Sequence, residues 1–377
     1  MQEDFHYYAT YCASLIAGFS RQESLDICYS AQLADWCTRT FLSGIDAPSD
    51  AATTQLQMEL MDAPTTRTGL QDITKIWASF HFLPFDLYAD CKASKAYQDK
   101  FRLICGPNGA LAADTVDLAA GRSLQAVGLA MHVIADTWAH RYFAGTPSLV
   151  INNTNYHFFE LIPVSDLQQE DVKGGTAVRF QERHVNFRHD PTEPDDVENS
   201  RYTNTMFQYR ENSVMNLGHG RAGHLPDYSF IRYKYLPAWG KYGEIIKDNP
   251  SDYLHAFAQM VHALKYLRGE LPAFETEVYD WEAIAPWRDE IIAILEKRQP
   301  DACADWKALG EKLSRNIVEP FDMEKYRPEY MQAENKDETF LGKFILAALR
   351  QKSMVTTRIF ESGNKLAGKP EYNKYSK

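Results

Sequence analysis

The sequence predicts a mainly α protein, a multi-helix bundle with minor strand or loop excursions. Three observations predict it. Residues 123–142, SLQAVGLAMHVIADTWAHRY, are apolar almost all round over a helix-length run, the mark of a helix buried in the middle of a protein. Ser20 and Glu23 form an S-x-x-E capping box ahead of a helical segment. Apolar residues then recur at three- and four-residue intervals in residues 201–220, 251–269, 287–298 and 339–360.

Taken in order, DFHYYATYCASLIAG (4–18) is apolar on one side and closes at Gly18, where a left-handed cap is favoured. The capping box opens a second helix through SLDICYSAQLADWCTR, so the chain begins as two helices joined by a tight turn. Residues 41–75 change character: Gly44, Pro48, Pro64 and Gly69 punctuate them, and TTQLQMELM (53–61) alternates as a short strand does. The central helix follows. Residues 163–200, rich in Pro, Asp, Glu and Gly, read as a loop or lid excursion. We read residues 1–377 as a single large helical domain, with a core over 1–235, a C-terminal helical extension over 236–362 packed on it, and a polar tail expected to fray.

Composition narrows the function classes. The chain has 377 residues, 45% hydrophobic, 24% charged and 13% aromatic, which excludes disorder as the main state. With 40 basic against 51 acidic residues and a net charge of -11, long-range attraction to nucleic acid or an anionic membrane is not expected. No apolar window is long enough to span a bilayer, and the start MQEDFHYYATY lacks the pattern of a secretory signal. The six cysteines contain no Cys-x-x-Cys pair and read as reduced thiols, so a cytoplasmic location is expected.

The histidines carry the chemistry. His132, Asp136 and His140 follow at four-residue steps, each turned about 40° from the last, so all three share one helix face. A lone buried carboxylate there would cost several kcal/mol, and two readings remove the cost. Either a metal takes the nitrogen and oxygen donors, or the three groups form a hydrogen-bonded ladder between helices. A second cluster, GHGRAGHLPD, holds His219, His224 and Asp227 in a glycine-rich turn. His6, Asp35 in AQLADW, and His81 in SFHFLPF are each weak alone, since a single histidine on an apolar segment is usually a satisfied core residue.

Their order along the chain resembles the superfamily of bacterial zinc-dependent phospholipases C and fungal single-strand-specific zinc nucleases. The resemblance covers residues 1–235, and a DFHYY-like opening is shared with a family of bacterial proteins without assigned activity. It implies a nearly all-helical fold with three zinc ions in one cleft. It implies as metal ligands His6, Asp35, His81, His132, Asp136, His140, His224 and Asp227, with Asp136 the bridge and the catalytic residue that orients a metal-activated water. Three departures stand out. Asp136 and His140 are separated by three residues where the family has five, and His224 to Asp227 is one residue shorter than usual. The family also uses a mature N-terminal tryptophan whose amine and carbonyl bind zinc, whereas this chain starts at Met1, so Asp4 is the candidate substitute; His219 is a candidate additional ligand or support.

The expected function is therefore a metal-dependent hydrolase of phosphate esters, using two or three zinc ions or another divalent transition metal, with Arg141 or Arg221 steadying the phosphate. The partner expected is a small-molecule or phosphoester substrate, with no stable nucleic-acid binding. Two alternatives stand beside it: a non-catalytic helical scaffold closed around a structural metal, and a metal hydrolase of a non-phosphate substrate.

Overall fold

The computed structural model describes residues 1–63, 66–153, 157–164, 180–190, 192–205, 210–237, 239 and 243–366. The chain opens with a π-helical stretch, Asp4–Ala9, that runs into α1, Thr10–Ile16, and turns at Gly18 with φ +89°, a backbone that favours glycine. The capping box forms as expected: Glu23 N–H donates to Ser20 Oγ at 3.3 Å and Ser20 N–H to Glu23 Oε2 at 2.8 Å, starting α2, Arg21–Leu33. Then come α3, Arg39–Gly44; α4, Gln57–Asp62; α5, Arg67–Phe80; α6, Lys95–Phe101; α7, Ala110–Ala119; the central α8, Leu124–Ala139; and α9, Leu149–Asn152.

The middle of the chain is where the expectation of a mainly α bundle with only minor strand excursions is corrected. With 53% helix and 9% strand, the fold is a mixed, sheet-containing one. Strands β1, Phe159–Pro163; β2, Phe180–His184; β5, Arg232–Tyr235; and β6, Ile245–Asp248 form an antiparallel sheet in the order β2-β1-β5-β6. β3, Asn186–Arg188, and β4, Arg201–Thr203, form a separate parallel pair. The described part of the 163–200 excursion holds β2, β3 and the end of β1 together with a 3-10 turn at Val197–Asn199; residues 165–179 and 191 of it lie outside the described residues.

Two further local readings are corrected. The alternating TTQLQMELM is helical from Gln57, because the Glu59 carboxylate accepts the Leu56 N–H at 3.3 Å and starts a helix where a strand was expected. The described residues of 201–220 hold β4 and one 3-10 turn, Val214–Asn216, in place of a helix. There the backbone bonds sideways, with Asn204 N–H to Arg188 O and Thr205 N–H to Gly220 O, which leaves no helical ladder; residues 206–209 lie outside the described set.

The last third returns to helix: α10, Asn249–Leu267; α11, Trp281–Ile284; α12, Arg288–Glu296; α13, Cys303–Ser314; α14, Arg327–Gln332; and α15, Phe340–Glu361. These helices share the main apolar core with the first third, which runs from Met1 to Leu366 through Phe5, Ile134, Phe257 and Phe344. The sheet covers a second core of Phe82, Phe143, Phe158, Tyr202, Tyr233 and Tyr235. The polar tail beyond residue 366 lies outside the described residues. No helix among the described residues is long and apolar enough to cross a membrane.

α8 is buried along nearly its whole length, against α2 on one side and α10 on another. The close approach to α2 rests on Gly128, where a β-carbon would lie 2.1 Å from the Ile27 carbonyl oxygen and 2.6 Å from Ser30 Cβ. At its far end the buried Lys247 donates to the Trp138 carbonyl at 2.8 Å and pairs with Asp252 in the first turn of α10. That cation sits where the helix dipole is negative and ties the last turn of α8 to its neighbour. Gly128→Ala is the test of this packing. Alanine would ordinarily gain about 1 kcal/mol in a helix, but pushing two helices apart costs more, so a net loss of about 2 kcal/mol is expected in urea denaturation.

Candidate metal centre

The site forms where the two cores meet. His132 and Asp136 project from α8, and His140 caps it. His81 caps α5, and the next residue, Phe82, belongs to the sheet-side core and stacks on the His140 ring at 4.6 Å. His6 comes from the π-helical stretch, whose wider turn re-aims side chains relative to an α-helix.

Around Asp136 the donors are close and nearly closed off from water. Asp136 is 1% exposed and His6 and His132 are 0% exposed. Asp136 Oδ1 lies 3.1 Å from His6 Nε2, and Oδ2 lies 3.1 Å from His81 Nδ1 and 3.3 Å from His132 Nε2. His132 Nε2 and His81 Nδ1 are 3.2 Å apart. Three donor atoms therefore make a triangle with edges of 3.1, 3.2 and 3.3 Å. One face of a tetrahedron around a zinc ion with bonds of ~2.0–2.1 Å has edges of about 3.3 Å.

Backbone carbonyls decide which ring nitrogens can act as donors to a cation. A carbonyl only accepts, so His81 Nε2–H donates to Thr53 O at 3.1 Å, His140 Nδ1–H to His81 O at 2.6 Å, and His219 Nδ1–H to Gly223 O at 2.9 Å. In each neutral ring the other nitrogen then holds a lone pair, and each faces a carboxylate: His81 Nδ1 toward Asp136, and His140 Nε2 and His219 Nε2 toward Asp227 at 3.3 and 3.6 Å. Carbonyl support of this kind is how metal-binding imidazoles are held. The His6 and His132 rings stack at 4.0 Å, and their Nδ1 atoms have no hydrogen-bond partner among the described residues.

Three groups of donor atoms within 4.8 Å of one another follow: His6, Asp35 and His132; His81, His132 and Asp136; and His140, His219 and Asp227. Asp35, 28% exposed at its side chain, stands 4.0 Å from His6 Nε2 and 3.8 Å from His81 Nδ1. The Met1 amino group lies among them, 2.8 Å from Asp136 Oδ1 and 3.3 Å from both Asp227 Oδ1 and His140 Nε2.

The electrostatics favour neutral imidazoles beside ionised Asp136 and Asp227, whereas burial raises Asp35. Burial pulls His6, His132 and His219 each down to about 4, against the attraction of Asp136 or Asp227. Burial would raise Asp136, but His140, the Met1 amine, His132 and His6 outweigh it and hold it well below the ordinary range. Asp227 is likewise lowered, since His219, the Met1 amine and His140 overcome its desolvation. Burial alone would lower the Met1 amine, yet Asp136 and Asp227 push it up to about 11.

The structure thus gathers His6, Asp35, His81, His132, Asp136, His140 and Asp227, and it corrects four other assignments. His224 is not in the cluster: its side chain is 47% exposed and its Nδ1 bonds to Asp195 Oδ2 at 2.9 Å, a contact that raises its pKa. His219 takes that place, because the turn points it inward against Asp227. Asp4 is buried beside Phe5 N–H, which it accepts at 2.8 Å, and burial lifts it to about 7; the Met1 amine, not Asp4, reaches the cluster. Arg141 lies over the Tyr142 ring at 4.8 Å and lines a different cleft. Arg221 is 3% exposed and donates to Asn153 Oδ1 at 3.3 Å, within a buried network that also ties its carbonyl to Asn204. Sequence reasoning missed Asp195 altogether; its only signal was its place in an acidic loop.

A model of a family of unknown function, DUF6765, matches residues 1–359. The chain belongs to that family. No curated protein and no solved structure matches it. The match takes in every donor of the centre and most of the C-terminal helices.

Two outcomes follow from the geometry. His219→Ala should weaken zinc binding by more than about 100-fold in a competition titration while His224→Ala leaves it within about tenfold; the reverse order would restore His224 to the centre. In chelator, His6, His132 and His219 have folded pKa values of about 4 against about 6.5 unfolded. Their stabilisation is full above pH 6.5 and is lost as pH falls toward 4, so urea midpoints should drop across that window.

Proposed function

We propose that the protein is a metal-dependent hydrolase of phosphate esters, with two or three divalent ions, zinc first among them, held by His6, Asp35, His81, His132, Asp136, His140, His219 and Asp227. The observation that carries this reading is the triangle of His81 Nδ1, His132 Nε2 and Asp136 Oδ2, whose edges of 3.1 to 3.3 Å match one face of a zinc tetrahedron. The order of these donors along the chain, which resembles the zinc-dependent phospholipase C and zinc nuclease superfamily, supports it.

Bound ions would supply Lewis acidity for phosphate oxygens and lower the pKa of water toward about 7. The chain's own residues do the rest. Asp136 offers one oxygen toward His6 and the other toward His81 and His132, the arrangement a bridging carboxylate needs. His81, His140 and His219 are locked by backbone carbonyls, so their lone pairs need no reorientation when a cation arrives. Asp35, His219 and Asp227, with side chains 28%, 20% and 11% exposed, form the side from which substrate reaches the centre. The cysteines of the described structure are free thiols, four of them buried, which suits a reducing cytoplasmic setting.

A second reading rests on the burial of His6, His132 and Asp136, which suits a structural metal closed off from substrate. Turnover separates the two. Zinc-loaded protein should hydrolyse bis(p-nitrophenyl) phosphate or p-nitrophenyl phosphate; bound metal with no turnover of any phosphoester favours the structural clamp, and no bound metal overturns both. Asp136→Ala should lose at least one metal equivalent by elemental analysis and melt at lower temperature, because the remaining imidazoles cannot balance the ions' charge. Unchanged metal content in that variant would remove Asp136 as a bridge.

A further inference from the structure

A second cleft, of about 370 Å³, opens beside the C-terminal turn of α8, and none of the candidate metal-binding residues lines it. Its size is that of a small-molecule site. Five rings line it, from Phe85, Phe101, Trp138, Tyr142 and Trp239, and Arg141 is the one cation lining it among the described residues. The wall is built rather than incidental. The loop Gly106–Gly109 is laid directly under Phe85, so that a β-carbon at Gly109 would fall 2.2 Å from the Phe85 carbonyl oxygen. Phe85 itself is 49% exposed, a large apolar side chain left open to solvent beside the cleft it lines.

Arg141 is partly buried, with its guanidinium carbon 4.8 Å from the centroid of the Tyr142 ring, and no carboxylate forms an ion pair with it among the described residues. The two acids of the lining, Asp86 and Glu277, are on exposed positions, and Asp86 is engaged by the Tyr88 N–H at 2.8 Å. Asn108 is spent as well, donating to Tyr279 and accepting from Gln259. The polar recognition left to the cleft among the described residues is therefore the Arg141 guanidinium, set among aromatic faces and partnered only by the neutral Tyr142 hydroxyl. A compact inorganic anion would gain the guanidinium fork but none of the rings. A flat apolar ring that carries one negative charge gains both.

We propose that this cleft is a binding site, separate from the metal centre, for a planar aromatic monoanion such as an aryl carboxylate or sulfonate, with Arg141 holding the charged group and the rings holding the plane. The probe is 2-naphthoate, read by calorimetry and by quenching of the tryptophans, with naphthalen-2-ylmethylammonium and inorganic phosphate as comparisons. Saturable binding of 2-naphthoate, at least about tenfold tighter than either comparison, is expected, with Arg141→Gln weakening it by about tenfold or more. Phe85→Ala, a change at an exposed ring, should weaken all aromatic probes alike, and circular dichroism checks that both variants fold. Failure of 2-naphthoate to saturate, equal binding of the ammonium probe, or an unchanged affinity in Arg141→Gln would each overturn the proposal. Displacement of 2-naphthoate by stoichiometric phosphate would also overturn it, since that places the anion at the metal centre.

Discussion

Everything near the middle of this molecule depends on one buried carboxylate. Asp136 sits on a helix otherwise made for burial, and an unpaired charge there would cost several kcal/mol or more. Four histidines and the Met1 amine surround it instead, drawn from the first turn of the chain, the end of α5 and both ends of one helix face. The fold must bring those segments together, or α8 could not be buried at all. This is why the π-helical opening packs against α8.

The same constraint explains the division into two cores. Six of the eight donors lie on or at the ends of helices, and His219 and Asp227 come from the loop whose Ala222, Leu225 and Tyr228 belong to the sheet-side core. His81 and Phe82 join the two, one ring facing Asp136 and the next stacked on His140. A site at such a junction can have rigid walls and still open to solvent on the side of Asp35 and Asp227. Cation binding there would tie the two cores together as well as supply chemistry.

The carbonyl partners of His81, His140 and His219 are the detail with most chemical consequence. Each removes the choice of tautomer, and the lone pairs that result are aimed at carboxylates, an arrangement that an ion relieves. Backbone, not side chain, does this orienting. Substitutions that move the Thr53, His81 or Gly223 backbone should therefore disturb the orientation of these three rings.

How much of this was legible in the sequence varied by residue. The four-residue spacing of His132, Asp136 and His140 fixes their common face through the geometry of a helix alone, and the capping box at Ser20 fixes where α2 begins. The resemblance in donor order brought His6, Asp35 and His81 to attention, though nothing local marks them. The sheet was not legible, because its strands are only four or five residues long and its central pair joins distant chain, as Phe159 pairs with Lys234. Nor could the sequence choose between His219 and His224, both set in one glycine-rich turn; the choice was made by where that turn docks, with Asp195 drawing His224 outward and Asp227 meeting His219 within. Periodicity along a single helix is a local property that the sequence determines by itself, whereas the partner of a loop side chain is a fact about distant chain, and only the tertiary structure decides it.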